Sequence, residues 1–224
     1  IFRREVITMT TSNMIELSHP CIKQLITQDA QLAKLIKHIG PITFPKRPSP
    51  LKSIIRSIIG QQITVKLAQT IFQRLTETVN DDWSIASLSK LSATKLQELG
   101  LSRAKTQCII ALLEHVQAGN IDFQKLPYLS NTAVTRNLTQ VKGIGQWTAE
   151  IYLIFTLHRI DILPVKDVGL QRAAQWLYQP TNTTKAETLK QCNQRWTGCQ
   201  TIGALYLWEA IRRGYLEYDH IDVL

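Results

Sequence analysis

The sequence has little cysteine, little histidine, few acidic residues and almost no period-two alternation. Each shortage removes a class of protein from consideration. Four cysteines in 224 residues (Cys21, Cys108, Cys192 and Cys199) are too sparse for a small disulfide-built scaffold. They read as free thiols, and no disulfide is expected. The histidines His19, His38, His115, His158 and His220 are scattered without ligand spacing, which argues against zinc. No apolar run reaches the ~18 residues that cross a membrane, and the opening "IFRREVITMTTSN" lacks the roughly 7 to 15 apolar residues of a signal peptide. The expected location is cytoplasmic in a bacterium or nuclear in a eukaryote, without secretion or a membrane partner. With strand patterns nearly absent, the expected class is all-α.

What the sequence does have is positive charge and helical periodicity. Lys and Arg number 26 against 17 acidic residues, a net +9, so the preferred partner is a polyanion, with nucleic acid ahead of an anionic membrane surface. A hydrophobic content of 44% supplies the core for one large domain or two packed lobes. In "SPLKSIIRSIIG" (49–60), Leu51, Ile54, Ile55, Ile58 and Ile59 recur at helical spacing behind Ser49 as N-cap and Pro50 at the first helical position. Further helices are predicted over 64–79, 92–100, 102–119, 131–140, 146–157, 167–178, from 184, where Thr184 and Glu187 have capping-box spacing, and over 201–213. The segment "RIDILPV" (159–165) reads as extended, and only the first dozen residues and the stretch after Gly214 read as loose.

One short stretch asks for a functional explanation. "VKGIGQWTAE" (141–150) sets Gly143 and Gly145 around Ile144 immediately before a helix. Glycine permits positive φ and a close approach to bare backbone, and a helix start offers N–H groups without intrahelical partners, which suits a phosphate oxygen. Lys142 adds a formal charge at the rim. A helix-turn-helix corner plugged by Ile144 explains the same residues without a ligand.

The residues "LTQVKGIGQWTAEIYLI" and "DILPVKDVGLQRA" resemble the helix-hairpin-helix DNA glycosylases, most closely the 3-methyladenine DNA glycosylase II branch. Agreement extends to "PLKSIIRSIIGQQITVKLAQTIFQRL" (50–75), "GLSRAKTQCI" (100–109) and "RWTGCQTIGALYLW" (195–208), so the resemblance covers about residues 30 to 210. It implies two helical lobes with an active site in the cleft between them. The expected division is a loose tail over 1–15, one lobe of 16–48 plus 161–224, and a six-helix barrel lobe of 49–160 ending in a helix-hairpin-helix motif at about 132–157. The chain is shorter than members of the branch that carry an extra N-terminal β-rich domain.

The resemblance also implies site residues. It places the catalytic acid on Asp167, where an anion beneath C1′ would stabilise the positive charge that builds on deoxyribose as a base departs. An Asp directly before "VGLQRAAQWL" is equally a good N-cap, and the two roles are compatible. Asp161 is the alternative acid. Trp147, Trp208 and Tyr152 are implied as the base pocket, because an indole face attracts a purine made cationic by alkylation. Taken alone, a tryptophan here is as well explained by core packing. The chemistry requires the nucleotide to be flipped out of the duplex, and Gln62, with Gln61 next, is the expected residue to fill the gap. Two solvated glutamines at a helix junction are the plainer account. Arg103 and Lys105 are expected phosphate contacts, and Lys166 is expected to meet phosphate or solvent.

Two family features are missing. Strand-nicking members carry a Schiff-base lysine two residues after the second hairpin glycine, where this chain has Trp147, so base release by water alone is implied. An iron-sulfur cluster needs cysteines spaced C-x6-C-x2-C-x5-C; Cys192 and Cys199 match the first interval, but Ile202 and Trp208 occupy the rest. The expectation is a monomeric, monofunctional glycosylase acting on alkylated purines in double-stranded DNA. No cofactor is required; the hairpin backbone carbonyls are a candidate site for a monovalent cation. The rivals are a bifunctional glycosylase/lyase for oxidised bases and a non-catalytic DNA-binding module. Borohydride treatment during reaction with damaged DNA is expected to trap no covalent adduct; a trapped adduct would sink the monofunctional reading.

Overall fold

A computed structural model describes residues 14 to 224, and the calls on residues 1–13 lie outside it. Met14–Ile15 (β1) pairs antiparallel with Ile42–Thr43 (β2), so the first described residues form a small ladder rather than loose chain. Between the strands lie Pro20–Gln28 (α1) and Ala30–Ile39 (α2). Next come Pro50–Gly60 (α3), Val65–Thr78 (α4), Ile85–Leu88 (α5), Ala93–Glu98 (α6), Arg103–Gln117 (α7), Asn131–Thr139 (α8) and Gln146–Phe155 (α9). Val168–Tyr178 (α10), Lys185–Arg195 (α11) and Gln200–Arg212 (α12) complete the helices.

The chain divides into two compact units, Ile1–Lys46 with Ile160–Leu224, and Arg47–Arg159. The second unit holds seven α-helices among its residues, one more than expected; the addition is the single turn α5, whose cap Ser84 accepts from the Ser87 amide. Its core is built on α9, in which every residue from Thr148 to Phe155 is buried, and on α3, which supplies Ile54, Ile55, Ile58 and Ile59. A helix buried on all sides, as α9 is in spite of Thr148 and Glu150, belongs at the centre of a bundle. Accordingly α3 and α8 pack against α9, and α4 and α7 against α3. Ser102 caps as its sequence position predicts, Thr64 also serves as an N-cap, and Ser49 makes no side-chain cap bond.

The first unit is organised by a buried carboxylate. Asp29, 3% exposed, caps α2 by accepting from Leu32 N at 3.0 Å through Oδ1. Its Oδ2 accepts from Tyr178 Oη at 2.6 Å, Trp196 Nε1 at 2.9 Å and Arg195 Nη1 at 3.1 Å. Burial works to raise the pKa of this carboxyl, and the four donors outweigh it, leaving the value below the ordinary one. The wholly buried ring of Trp196 lies where a side chain on Gly203 would stand, which explains a glycine inside α12.

Two expectations are corrected here. Cys21 and Cys199 form a disulfide, with Cα atoms 5.4 Å apart, joining the first turn of α1 to the N-cap of α12, while Cys108 and Cys192 are free and buried. A separation of 178 residues leaves no local mark of such a pairing. The stretch after Gly214 is tied down rather than loose: Trp176 Nε1 donates to Tyr218 O, Gln179 Nε2 to Asp219 O, and Lys34 pairs with Asp222.

Asp29→Ala leaves three side-chain donors and one amide without their acceptor and is expected to cost about 3 to 5 kcal/mol in chemical unfolding. A carboxyl whose folded pKa is depressed contributes fully above its unfolded value, near 3.9, and loses that contribution as pH falls through the folded value. The gap between wild type and variant should therefore hold at neutral pH and close below about pH 4. A gap that persists unchanged in acid would contradict this account.

Candidate functional site

The hairpin joins α8 to α9. Val141 and Ile144 are buried beneath it, and Ile144 N donates back to Val141 O at 3.0 Å, which closes the turn. Gly143 sits at φ +97°, and a Cβ there would lie 2.8 Å from Cys108 Cβ and 2.9 Å from its Sγ. Both conformation and space therefore demand glycine. Burial against this turn pushes the Cys108 thiol up to about 11. Gly145 differs: its φ is −92°, and nothing lies within 4 Å of where its Cβ would be. It is the N-cap of α9 and, having no side chain, makes no side-chain cap bond to the helix start. Lys142 is exposed beside it.

The structure divides the predicted DNA contacts into two groups. Gln61 has internal partners: its Nε2 donates to Gly143 O at 3.1 Å and Thr148 Oγ1 at 2.9 Å, bracing the hairpin against the end of α3. Lys105 is also engaged, its Nζ donating to Ile59 O at 2.8 Å in the last turn of α3, and burial lowers its pKa. Gln62 is exposed at φ +54°, and Arg103 is exposed at the first position of α7.

In the other unit the extended entry "IDILP" is stitched to the first turn of α12. Thr201 N donates to Ile160 O, Thr201 Oγ1 donates to Ile162 O, and Ile162 N donates to Thr201 Oγ1. A turn closed by Asp167 N to Pro164 O at 2.8 Å then delivers Asp167 as the N-cap of α10, its Oδ1 accepting from Leu170 N at 2.8 Å. The residue is partly exposed, so the capping role leaves the carboxylate at the surface of the unit. Asp161 and Lys166, which precede it in the chain, are exposed. Trp208 is partly exposed on α12, and Ile211 lies one turn further along the same face. The space above Gly169 is bounded by Asp167 Oδ1 and Ile211 Cδ1, which puts the carboxylate and this end of α12 side by side. Sequence reasoning missed both Gly169 and Ile211; the available signal was a glycine in the first turn of a predicted helix.

Trp147 is partly exposed at the second position of α9. Tyr152, expected in the base pocket, is instead wholly buried, its ring 6.1 Å from that of Phe123, and burial pushes its phenol well up. In this structure it is a core residue, because α9 is enclosed on all sides beyond its first turn. Among the described residues no group of three or more His, Cys, Asp or Glu is placed to hold a metal ion, and no helix is long and apolar enough to cross a membrane.

A helical protein with a glycine hairpin in one unit and a helix-capping carboxylate at the surface of the other is the class these features define. The chain belongs to the HhH-GPD superfamily of base excision DNA repair proteins, whose family model matches residues 55–197. It is similar to DNA-3-methyladenine glycosylase 1 of Schizosaccharomyces pombe, at 28% identity over 92% of this chain and 90% of the relative. Its fold matches a crystal structure of DNA-3-methyladenine glycosidase from Bacillus halodurans at 35% identity, covering 93% of this chain and 97% of that one with a TM-score of 0.80. It also matches the S. pombe 3-methyladenine DNA glycosylase Mag1 in complex with abasic DNA, at 27% identity and a TM-score of 0.78, over 87% and 97% of the two chains.

The two hairpin glycines should separate in a stability measurement. Gly143→Ala meets both positive φ and Cys108 and is expected to cost about 1 to 3 kcal/mol. Gly145→Ala should stay within about 0.5 kcal/mol of wild type in the same urea titration; equal losses would show that both glycines serve only the fold.

Proposed function

We propose that this chain is a monofunctional DNA glycosylase that extrudes alkylated purines, 3-methyladenine and 7-methylguanine foremost, and hydrolyses their N-glycosidic bond to leave an abasic site. The observation that carries the reading is Asp167: a carboxylate held on the Leu170 amide, partly open to solvent, beside the Trp208 face of α12. Hydrolysis at C1′ builds positive charge on the sugar, and a fixed anion stabilises that state without reorganising. The same anion orients the attacking water. Trp147 at the hairpin position of a lyase lysine leaves no amine nucleophile there, so water completes the reaction.

Selectivity follows from the chemistry of the substrate. Alkylation at N3 or N7 makes the purine cationic and weakens its glycosidic bond, and a partly exposed indole, that of Trp147 or of Trp208, attracts such a ring by about 0.5 to 2 kcal/mol. The start of α9, where Gly145 presents bare backbone beside exposed Lys142, takes a phosphate of double-stranded DNA. Exposed Gln62 fills the gap left by the flipped nucleotide, and Arg103 meets the backbone. The protein acts as a monomer and needs no cluster or catalytic metal. The carbonyls of Val141 and Gly143, each already accepting one N–H, retain a lone pair for a monovalent cation that would stiffen the turn.

The relatives named for 3-methyladenine release and the neighbour bound to abasic DNA support this substrate class. Asp167→Asn is the decisive variant, because Asn caps a helix as well as Asp does. Stability and affinity for uncleaved duplex should be kept while release of methylated bases falls by about 10²-fold or more. Full activity in that variant would leave the residue as a helix cap and favour a binding module without chemistry.

A further inference from the structure

We propose that Gly169 is a positioning residue: its missing side chain is what allows the Asp167 carboxylate to stay on the Leu170 amide while Ile211 packs over the same stretch of backbone. The inference rests on the reading that Asp167 acts on the sugar. Gly169 is the second residue of α10, and its φ is not positive, so backbone freedom does not call for a glycine here. Alanine in a helix is ordinarily favoured over glycine by about 0.5 to 1 kcal/mol. The chain forgoes that gain at a position one residue removed from Asp167.

Space is the remaining reason. A Cβ on residue 169 would lie 3.1 Å from Asp167 Oδ1 and 3.3 Å from Ile211 Cδ1. The two neighbours differ in how they can respond. Ile211 is 36% exposed, and its terminal methyl is the free end of a flexible side chain. Asp167 Oδ1 is tethered by its 2.8 Å bond to Leu170 N and can retreat only by lengthening that bond. Ile211 therefore takes part of the displacement and the carboxylate takes the rest, a few tenths of an ångström. A shift of that size is small for the fold and large for a group that must stand beneath a reacting carbon, since misplacement by about 1 Å can cost 10²-fold in rate.

The test uses the full chain, duplex DNA containing 7-methylguanine for single-turnover release, and the same duplex with an uncleavable abasic analogue for affinity. Gly169→Ala is expected to unfold at the same temperature as wild type or higher, to bind the analogue within about twofold, and to release base about 3- to 10-fold more slowly. Adding Ile211→Ala to Gly169→Ala removes the other crowding atom and gives the new methyl room to move off the carboxylate, and should recover most of the lost rate. A Gly169→Ala protein with wild-type release overturns the proposal. So does one whose stability and affinity fall together with its rate, which is the signature of a merely structural glycine, or a loss that Ile211→Ala does not relieve. Asp167→Asn, run alongside, separates the two levels: an active Asp167→Asn protein removes the catalytic reading whatever residue 169 does.

Discussion

The four donors gathered on Asp29 are the interaction on which the rest of the first unit depends. One carboxylate caps α2, receives Tyr178 from the end of α10, and receives Arg195 and Trp196 from the end of α11. Trp196 in turn rests against α12 where Gly203 leaves room for its ring. Asp167 opens α10, and Trp208 and Ile211 stand on α12. The geometry of the surface carboxylate is thus inherited from a buried one that touches no substrate. Burying a charge is costly, and the full set of hydrogen bonds is what makes this one favourable.

Glycine does different work at each place where it appears near the site. Gly143 answers both a positive φ and the proximity of Cys108, whereas Gly203 and Gly169 occupy ordinary helical backbone and serve only by being small. Gly145 has neither requirement within the chain. At this helix start the protein's own packing would let the residue grow. The second unit holds this start in place from beneath, through Gln61 on the hairpin and Lys105 on the end of α3.

Helices with strong local signals could be read from the sequence. The isoleucine spacing of α3, the Ser102 cap of α7 and the Thr184–Glu187 box of α11 all sit where periodicity and capping chemistry put them. The capping role of Asp167 was legible too. What could not be read depends on distant partners. Gln61 and Lys105 look like solvated or phosphate-facing residues until their partners, 82 and 46 positions away, are known. Tyr152 carries a polar group that suggests a pocket, but the helix around it is enclosed. The final residues look loose because their anchors, Trp176, Gln179 and Lys34, lie in other elements.

The bond between Cys21 and Cys199 has a topological consequence. It closes residues 21 to 199 into a covalent ring, and the whole of the Arg47–Arg159 unit lies within that ring. Tension applied at the two chain ends passes across the sulfur–sulfur bridge and bypasses the enclosed residues. The unit that carries the hairpin is mechanically shielded for as long as the bridge is intact.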